Sequence, residues 1–257
     1  MITKEELKRI GQTKGLTNVG HAEKDYLLDL FLLAISRETK NELVFKGGTC
    51  LYKFHGLPRF SEDLDFSAVG NPKLELLAKR VIARLADFGV KAQLKEKKEP
   101  YNSVLWTFLC EGPLYTGEPR TRCSIRVDVN TKSEVILEPE NKMYSSNYPD
   151  LPPFTILAMN VEEILAEKAR AIITRNKARD AYDAGFLLQR NTRWNEQLIR
   201  KKLRYYSLQW NPKRFARKLK SLKTIWEKDL KHLVTLTPLL PFNEAISPIL
   251  KAAAGKA

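Results

Sequence analysis

Two short segments carry residue types that suit phosphate and metal chemistry. Asp63-Leu64-Asp65-Phe66 sets two carboxylates at i and i+2, and Leu64, Phe66 and Ala68 alternate with Asp63, Asp65 and Ser67. That period of two predicts a strand whose aspartates leave from one face, close enough to share a hard divalent cation such as Mg²⁺, with Mn²⁺ as the alternative. Thirteen residues upstream of Asp63, Phe45-Lys46-Gly47-Gly48-Thr49 reads as strand, glycine turn and helix start. Paired glycines let a backbone approach a phosphate, and the Thr49 hydroxyl with nearby N–H groups at a helix start can donate to its oxygens. A nucleoside triphosphate suits both halves. A D-x-D run alone is an ordinary polar strand face; the Gly-Gly-Thr turn at this spacing is what lifts it above that.

The elements that must position these residues can be read from apolar periodicity. Glu23 to Ser36 predicts a core helix, Leu43 to Lys46 a strand, and Thr49 to Phe54 a short helix ended by His55-Gly56-Leu57-Pro58. Leu74 to Phe88 predicts a helix stopped by Gly89, and Val90 to Lys95, Ser103 to Cys110 and Cys123 to Val129 add strands to the same sheet. A short apolar run follows at Phe154 to Met159, and beyond it helices are expected at Val161 to Arg175, Ala178 to Gln189, Asn195 to Tyr206 and Lys213 to Lys231. The tail from Ser247 receives no assignment. The fold class is therefore α/β (α+β): a mixed sheet with helices over 1–160, then a basic helical module over 161–257.

Charge is unevenly distributed. The chain has 257 residues and a net charge of +14, yet Lys168 to Lys231 alone holds 19 Lys and Arg against five Asp and Glu, and the rest carries 25 of each sign. A neutral front module joined to a basic back module is the footprint of a nucleic-acid binder, although lysine-rich helices also serve as plain solvated faces. Trp194, Tyr205, Tyr206, Trp210, Phe215 and Trp226 interleave with the basic residues and are expected mainly in the core, with a few available to stack on unpaired bases. No run approaches the roughly 20 apolar residues of a membrane helix, and the charged N-terminus is unlike a secretory signal. Three widely spaced cysteines give neither a disulfide framework nor a zinc pattern, and the three histidines lack ligand spacing. A cytoplasmic protein without a membrane partner is expected.

Gly-Gly-Thr followed by Asp-Leu-Asp resembles the signature of nucleotidyltransferases of the DNA polymerase β type. That superfamily adds a third carboxylate from a neighbouring strand, and Asp128, on one face of Ile125 to Asn130 with Arg126 and Asn130, is the candidate. The wider stretch from Gly47-Gly48-Thr49 to Arg59-Phe60-Ser61-Glu62-Asp63-Leu64-Asp65 resembles the AbiEii family, the nucleotidyltransferase toxins that include the MenT toxins. Glu167-Lys168-Ala169-Arg170-Ala171, then Arg179-Asp180 and Tyr182-Asp183, match that family's E-K-x-x-A and R-D-x-x-D elements.

The resemblance implies Asp63, Asp65 and Asp128 as metal ligands, with Asp63, Asp65, Lys168 and Asp180 as catalytic residues. It places Gly47, Gly48, Thr49, Arg59, Ser61 and Lys168 around the nucleotide. Lysine is a compact cation suited to a triphosphate, and an aspartate among Arg175, Lys177 and Arg179 should stay ionised. The implied reaction is Mg²⁺-dependent transfer of NMP from an NTP to RNA, with the tRNA 3′ end as acceptor, by the toxin of a toxin–antitoxin pair whose antitoxin is a further partner. The helical module would complete the site and bind the RNA. The rivals are nucleotidylation or phosphorylation of a protein, and a non-catalytic RNA-binding module; a metal-dependent nuclease has no need of the Gly-Gly-Thr turn.

Overall fold

Alternation of apolar and polar residues along two neighbouring segments builds the centre of a mixed sheet. The computed structural model describes all residues except Tyr101, Ser133, Lys256 and Ala257, the last two being the end of the unassigned tail. The chain divides into two compact units, one comprising Met1–Gly56, Phe60–Val135 and Pro139–Ala158, the other Leu57–Arg59, Ile136–Glu138 and Met159–Ala257.

In the first unit the strands β1 (Leu43–Lys46), β2 (Asp63–Ala68), β3 (Lys91–Lys98), β4 (Ser103–Glu111), β5 (Cys123–Asn130), β6 (Glu140–Tyr144) and β7 (Phe154–Ala158) form one sheet in the order β3-β4-β5-β2-β1-β7-β6. β2 lies antiparallel to β1 and parallel to β5. β1 and β7 are parallel, and both flanks close with antiparallel pairs. Leu64 and Phe66 of β2, Val127 and Val129 of β5 and Trp106 and Phe108 of β4 are buried on one face. Helix α2 (Val19–Glu38) packs there, with Phe31 and Phe108 ring centroids 5.1 Å apart. The β3 edge is lined by exposed Lys and Glu, charges that discourage another strand from pairing with it.

Helix α1 (Lys4–Thr13), unassigned from sequence, opens with a capping box in which Thr3 and Glu6 satisfy each other's backbone N–H groups. Helix α3 (Gly47–His55) carries the glycine turn at its start and is anchored near its end. Lys53 is buried between Asp25 and Asp29 of α2, 2.5 Å from each. Lys14 and the Tyr148 hydroxyl also reach Asp25, so this buried charge cluster is shared among several donors. Helix α4 (Leu74–Asp87) completes the unit with Leu77, Val81 and Leu85 inward.

The second unit is helical: α5 (Val161–Thr174), α6 (Ala178–Gln189), α7 (Glu196–Arg204), α8 (Pro212–Ser221), α9 (Trp226–Leu230) and α10 (Phe242–Ala253). The single helix expected over Lys213 to Lys231 is corrected to α8, a 3₁₀ turn over Leu222–Ile225 and α9. Helix α10 starts at Phe242 and runs into the tail from Ser247 that received no assignment. Pro248 lies inside it, and Ala245, Ile246 and Ile249 are buried. Gly185 of α6 faces Ala245 so closely that a Cβ there would strike its carbonyl. Two excursions from the sheet's connections belong to this unit for visible reasons. Glu163 accepts the Ile136 and Leu137 N–H groups at 3.0 and 2.7 Å, and Arg59 bridges to Val234 in β fashion. Among the described residues no helix is long and apolar enough to cross a membrane.

Candidate active site

The register of the central strands decides which polar side chains are neighbours. β2 and β5 pair Asp63 with Arg126 and Asp65 with Asp128. Paired residues of adjacent strands share a face, and the strands lie roughly 4.8 Å apart. Asp63, Asp65, Arg126 and Asp128 therefore share the face opposite the apolar core. Lys46, the last residue of β1, pairs with Asp65 from the other side.

Gly47 is the contact on which this arrangement turns. Its φ is +77°, and a Cβ would come within 2.9 Å of the Asp65 Cβ and Cγ and nearer still to Oδ2. The Asp65 carboxylate thus lies against the first residue of α3, in space that any side chain at residue 47 would occupy. Gly48 is buried in the same turn. The Thr49 hydroxyl, expected to serve a phosphate, donates to the Asp63 carbonyl at 2.5 Å and ties α3 to β2. Ser61 is buried just before the strand.

Arg126 closes on Asp63 as a two-pronged ion pair, with Nε to Oδ1 and Nη2 to Oδ2 both at 2.9 Å. This hydrogen bonding and the adjacent charge push the Arg126 guanidinium up from its ordinary pKa. Among the described residues no three Asp, Glu, His or Cys side chains converge to hold a metal ion. The donor chemistry nonetheless fits a divalent cation: hard carboxylate oxygens on one face, two in register on neighbouring strands, and the Gly47 cradle beside one of them. Arg126 takes one lone pair on each Asp63 oxygen, so a cation that chelates Asp63 from that side meets the guanidinium.

The helical unit holds the other motif residues in a buried chain of charges. Lys168 of α5 meets Asp180 at 3.2 Å and Asp183 at 2.7 Å, both on α6. Arg175 grips Asp180 with two bonds of 2.7 Å. Arg59, only 1% exposed, grips Asp183 at 2.7 and 2.6 Å. The spacing of Asp180 and Asp183 at i and i+3 places them on one helix face, toward Lys168. Burial pushes both carboxyls up, but the cations outweigh it. Lys168 and Arg175 hold Asp180 well below the usual carboxylate range, and Arg59 and Lys168 hold Asp183 below it. Both aspartates are therefore ionised.

Two participants have no role that the sequence alone assigns. Asp183 links Arg59 to Lys168, and the i, i+3 spacing within Arg179-Asp180…Asp183 was the signal for it. Arg126 shares a strand face with Asp128, but its partner on β2 follows from a non-local register. Of the aromatics, Trp210, Phe215 and Trp226 are buried, and Trp194 packs on Trp210 and Phe215 with centroids 6.0 and 5.8 Å away. Tyr205 and Tyr206 are exposed, with the Arg170 guanidinium 4.5 Å over the Tyr206 ring.

Comparison with known proteins agrees with this architecture. The chain is similar over 99% of its length, and 89% of the other chain, to MenT4, a nucleotidyltransferase toxin of Mycobacterium tuberculosis, with a TM-score of 0.70 at 21% identity. JHP933 from Helicobacter pylori matches 91% of this chain and 90% of its own at 19% identity, with a TM-score of 0.55. At these identities the likeness is one of fold. No curated protein sequence matches the chain. The family model described as nucleotidyl transferase AbiEii toxin, type IV TA system, matches residues 30–248, and the chain belongs to that family.

Proposed function

We propose that this protein transfers a nucleoside monophosphate from an NTP to a hydroxyl of RNA, with the tRNA 3′ end as acceptor, acting as the toxin of a toxin–antitoxin pair. The observation that carries the reading is the register that sets Asp65 beside Asp128, two residues along from Asp63, over the Gly47 turn. Asp63, Asp65 and Asp128 would hold Mg²⁺, which when bound draws charge from the triphosphate and from the attacking oxygen. Asp128 positions the acceptor hydroxyl and accepts its proton. The acceptor oxygen bonds to the α-phosphorus as the α–β bridging bond breaks, and pyrophosphate leaves. The Gly47-Gly48 backbone admits the phosphates closely, and Thr49 fixes the turn through the Asp63 carbonyl.

Lys168 serves the triphosphate and Asp180 the nucleotide site. The alternation along the helical unit supports an RNA acceptor. Phe215 and Leu219 of α8 are buried while Lys213, Arg214, Arg217 and Lys220 are exposed, which leaves a basic outer face suited to a phosphate backbone.

The test offers each α-³²P-labelled NTP with Mg²⁺ and either total tRNA or total protein, with Asp65→Asn as control. Label on tRNA that disappears in the variant supports the reading. Label on protein moves the acceptor, and salt-sensitive tRNA binding without any label makes the chain an RNA-binding module instead.

A further inference from the structure

On the carboxylate face, Arg126 is a cation that the proposed reaction leaves without a task. Arg126 lies one strand away from Asp63 and two residues from Asp128, and it uses both Nε and Nη2 on the Asp63 oxygens. A bidentate fork of this kind takes one lone pair on each carboxylate oxygen, on the side from which a chelating divalent cation would approach. Arg126 and Asp63 cannot both keep this contact and admit a metal to both Asp63 oxygens. The guanidinium is also half exposed, at 53%, and the Asp63 side chain that it holds is 29% exposed. Its neighbours in register on β4 and β2 are Thr107 and Asp63, so its long side chain has room to turn away from the sheet. An exposed pair is weak enough to exchange, and a planar fork that fits a carboxylate fits a phosphate equally well.

We propose that Arg126 is an exchangeable counter-ion. It holds Asp63 in the empty site, yields that carboxylate when a divalent cation enters, and then takes a triphosphate oxygen of the nucleotide. The inference rests on the reading of Asp63 and Asp65 as metal ligands. It makes the cation and the nucleotide mutually reinforcing, because each removes a competitor for the other: the cation frees Arg126 for phosphate, and phosphate draws Arg126 away from Asp63. Replacing a residue that only braced the sheet would not tighten metal binding while weakening nucleotide binding.

The experiment measures Mn²⁺ binding without nucleotide, from the electron paramagnetic resonance signal of free Mn²⁺, and separately the binding of a non-hydrolysable NTP analogue with Mg²⁺ present. The proteins are wild type, Arg126→Gln, Arg126→Lys and Asp65→Asn. Exposed pairs contribute up to about 1 kcal/mol, which at 1.4 kcal/mol per tenfold is roughly fivefold. Arg126→Gln should therefore bind Mn²⁺ about fivefold more tightly than wild type, and bind the analogue about tenfold more weakly for loss of a charge-assisted phosphate contact. Arg126→Lys, which keeps the charge but not the fork, should fall between the two in both assays. Equal Mn²⁺ binding by wild type and Arg126→Gln, or weakening of both ligands together, overturns the role given to Arg126 and leaves the metal reading intact. Mn²⁺ binding unchanged in Asp65→Asn overturns the metal reading itself, and the exchange with it.

Discussion

Replacing Gly47 with alanine should damage the protein in two separable ways. The first is conformational. At φ +77° an L side chain crowds its own carbonyl, which costs about 1–2 kcal/mol. The second is steric: the new Cβ meets the Asp65 side chain at 2.9 Å or less, and overpacking of this kind costs typically ~1–3 kcal/mol. Gly70 supplies the internal standard. Its φ is +71°, but a Cβ there meets nothing within 4 Å, so Gly70→Ala suffers the first cost alone.

Urea unfolding should show Gly70→Ala destabilised by about 1–2 kcal/mol and Gly47→Ala by about 2–5 kcal/mol, with unchanged slopes. The three atoms nearest the new Cβ all belong to Asp65. In an Asp65→Gly background the excess over Gly70→Ala should therefore vanish, a coupling that a double-mutant cycle isolates. Nucleotidyl transfer should fall in Gly47→Ala and not in Gly70→Ala, since only the former displaces the Asp65 carboxylate. Equal costs for the two alanines, or an excess that persists without the Asp65 side chain, would refute the close approach of α3 and β2.

Three further outcomes follow from the charge clusters. Lys53→Met leaves Asp25 and Asp29 buried without their shared cation and should cost about 3–5 kcal/mol in urea unfolding; a loss below about 1 kcal/mol would mean that the Lys14 charge and the tyrosine hydroxyl bonds already sustain the cluster. Asp180 and Asp183 have folded pKa values depressed below their unfolded values, so their stabilisation is fully present above about pH 5 and is lost as pH falls through and below the ordinary carboxylate range near 4. Asp183→Asn should flatten that acid limb, and an acid titration followed by circular dichroism that is identical to wild type would contradict the network. Replacing Lys213, Arg217 and Lys220 together with Gln should weaken tRNA binding and reduce the slope of log K against log salt by about 2, taking ~0.7 per phosphate contact; an unchanged slope would remove α8 from the interface.

What could be read from the sequence divides along the line between local and non-local information. Asp63-Leu64-Asp65 declared its strand through alternation, and Gly47 declared a turn because few other residues serve at positive φ. The partner of each was hidden. That Asp65 meets Asp128, and that Asp63 meets Arg126, depends on β5 lying parallel to β2 across a long connection, which no period within either segment encodes. The same holds for Lys168: one turn back along its own helix it has only Ile164 and Leu165, and its carboxylates come from α6. Thr49 is a similar case: its motif suggests a phosphate donor, while its contact with the Asp63 carbonyl on β2 follows from the non-local packing of α3 on that strand.

Among the elements, β6 has no local signature, because Glu140-Asn141-Lys142 lacks apolar alternation and becomes a strand by pairing with β7. α10 was obscured by Pro248, which sits near the middle of a helix whose apolar face still packs on α6. α1 was legible after all, since Thr3-x-x-Glu6 is a capping box, but its few apolar residues gave a weak stripe.

The central claim is that the α-phosphorus moves and pyrophosphate leaves, and the most direct test supplies the acceptor RNA with NTP labelled at either the α or the γ phosphate. Label from the α position should enter RNA, with the γ label recovered wholly in pyrophosphate and both lost in Asp65→Asn. Label from the γ position on the acceptor would make the reaction a phosphoryl transfer and contradict the account.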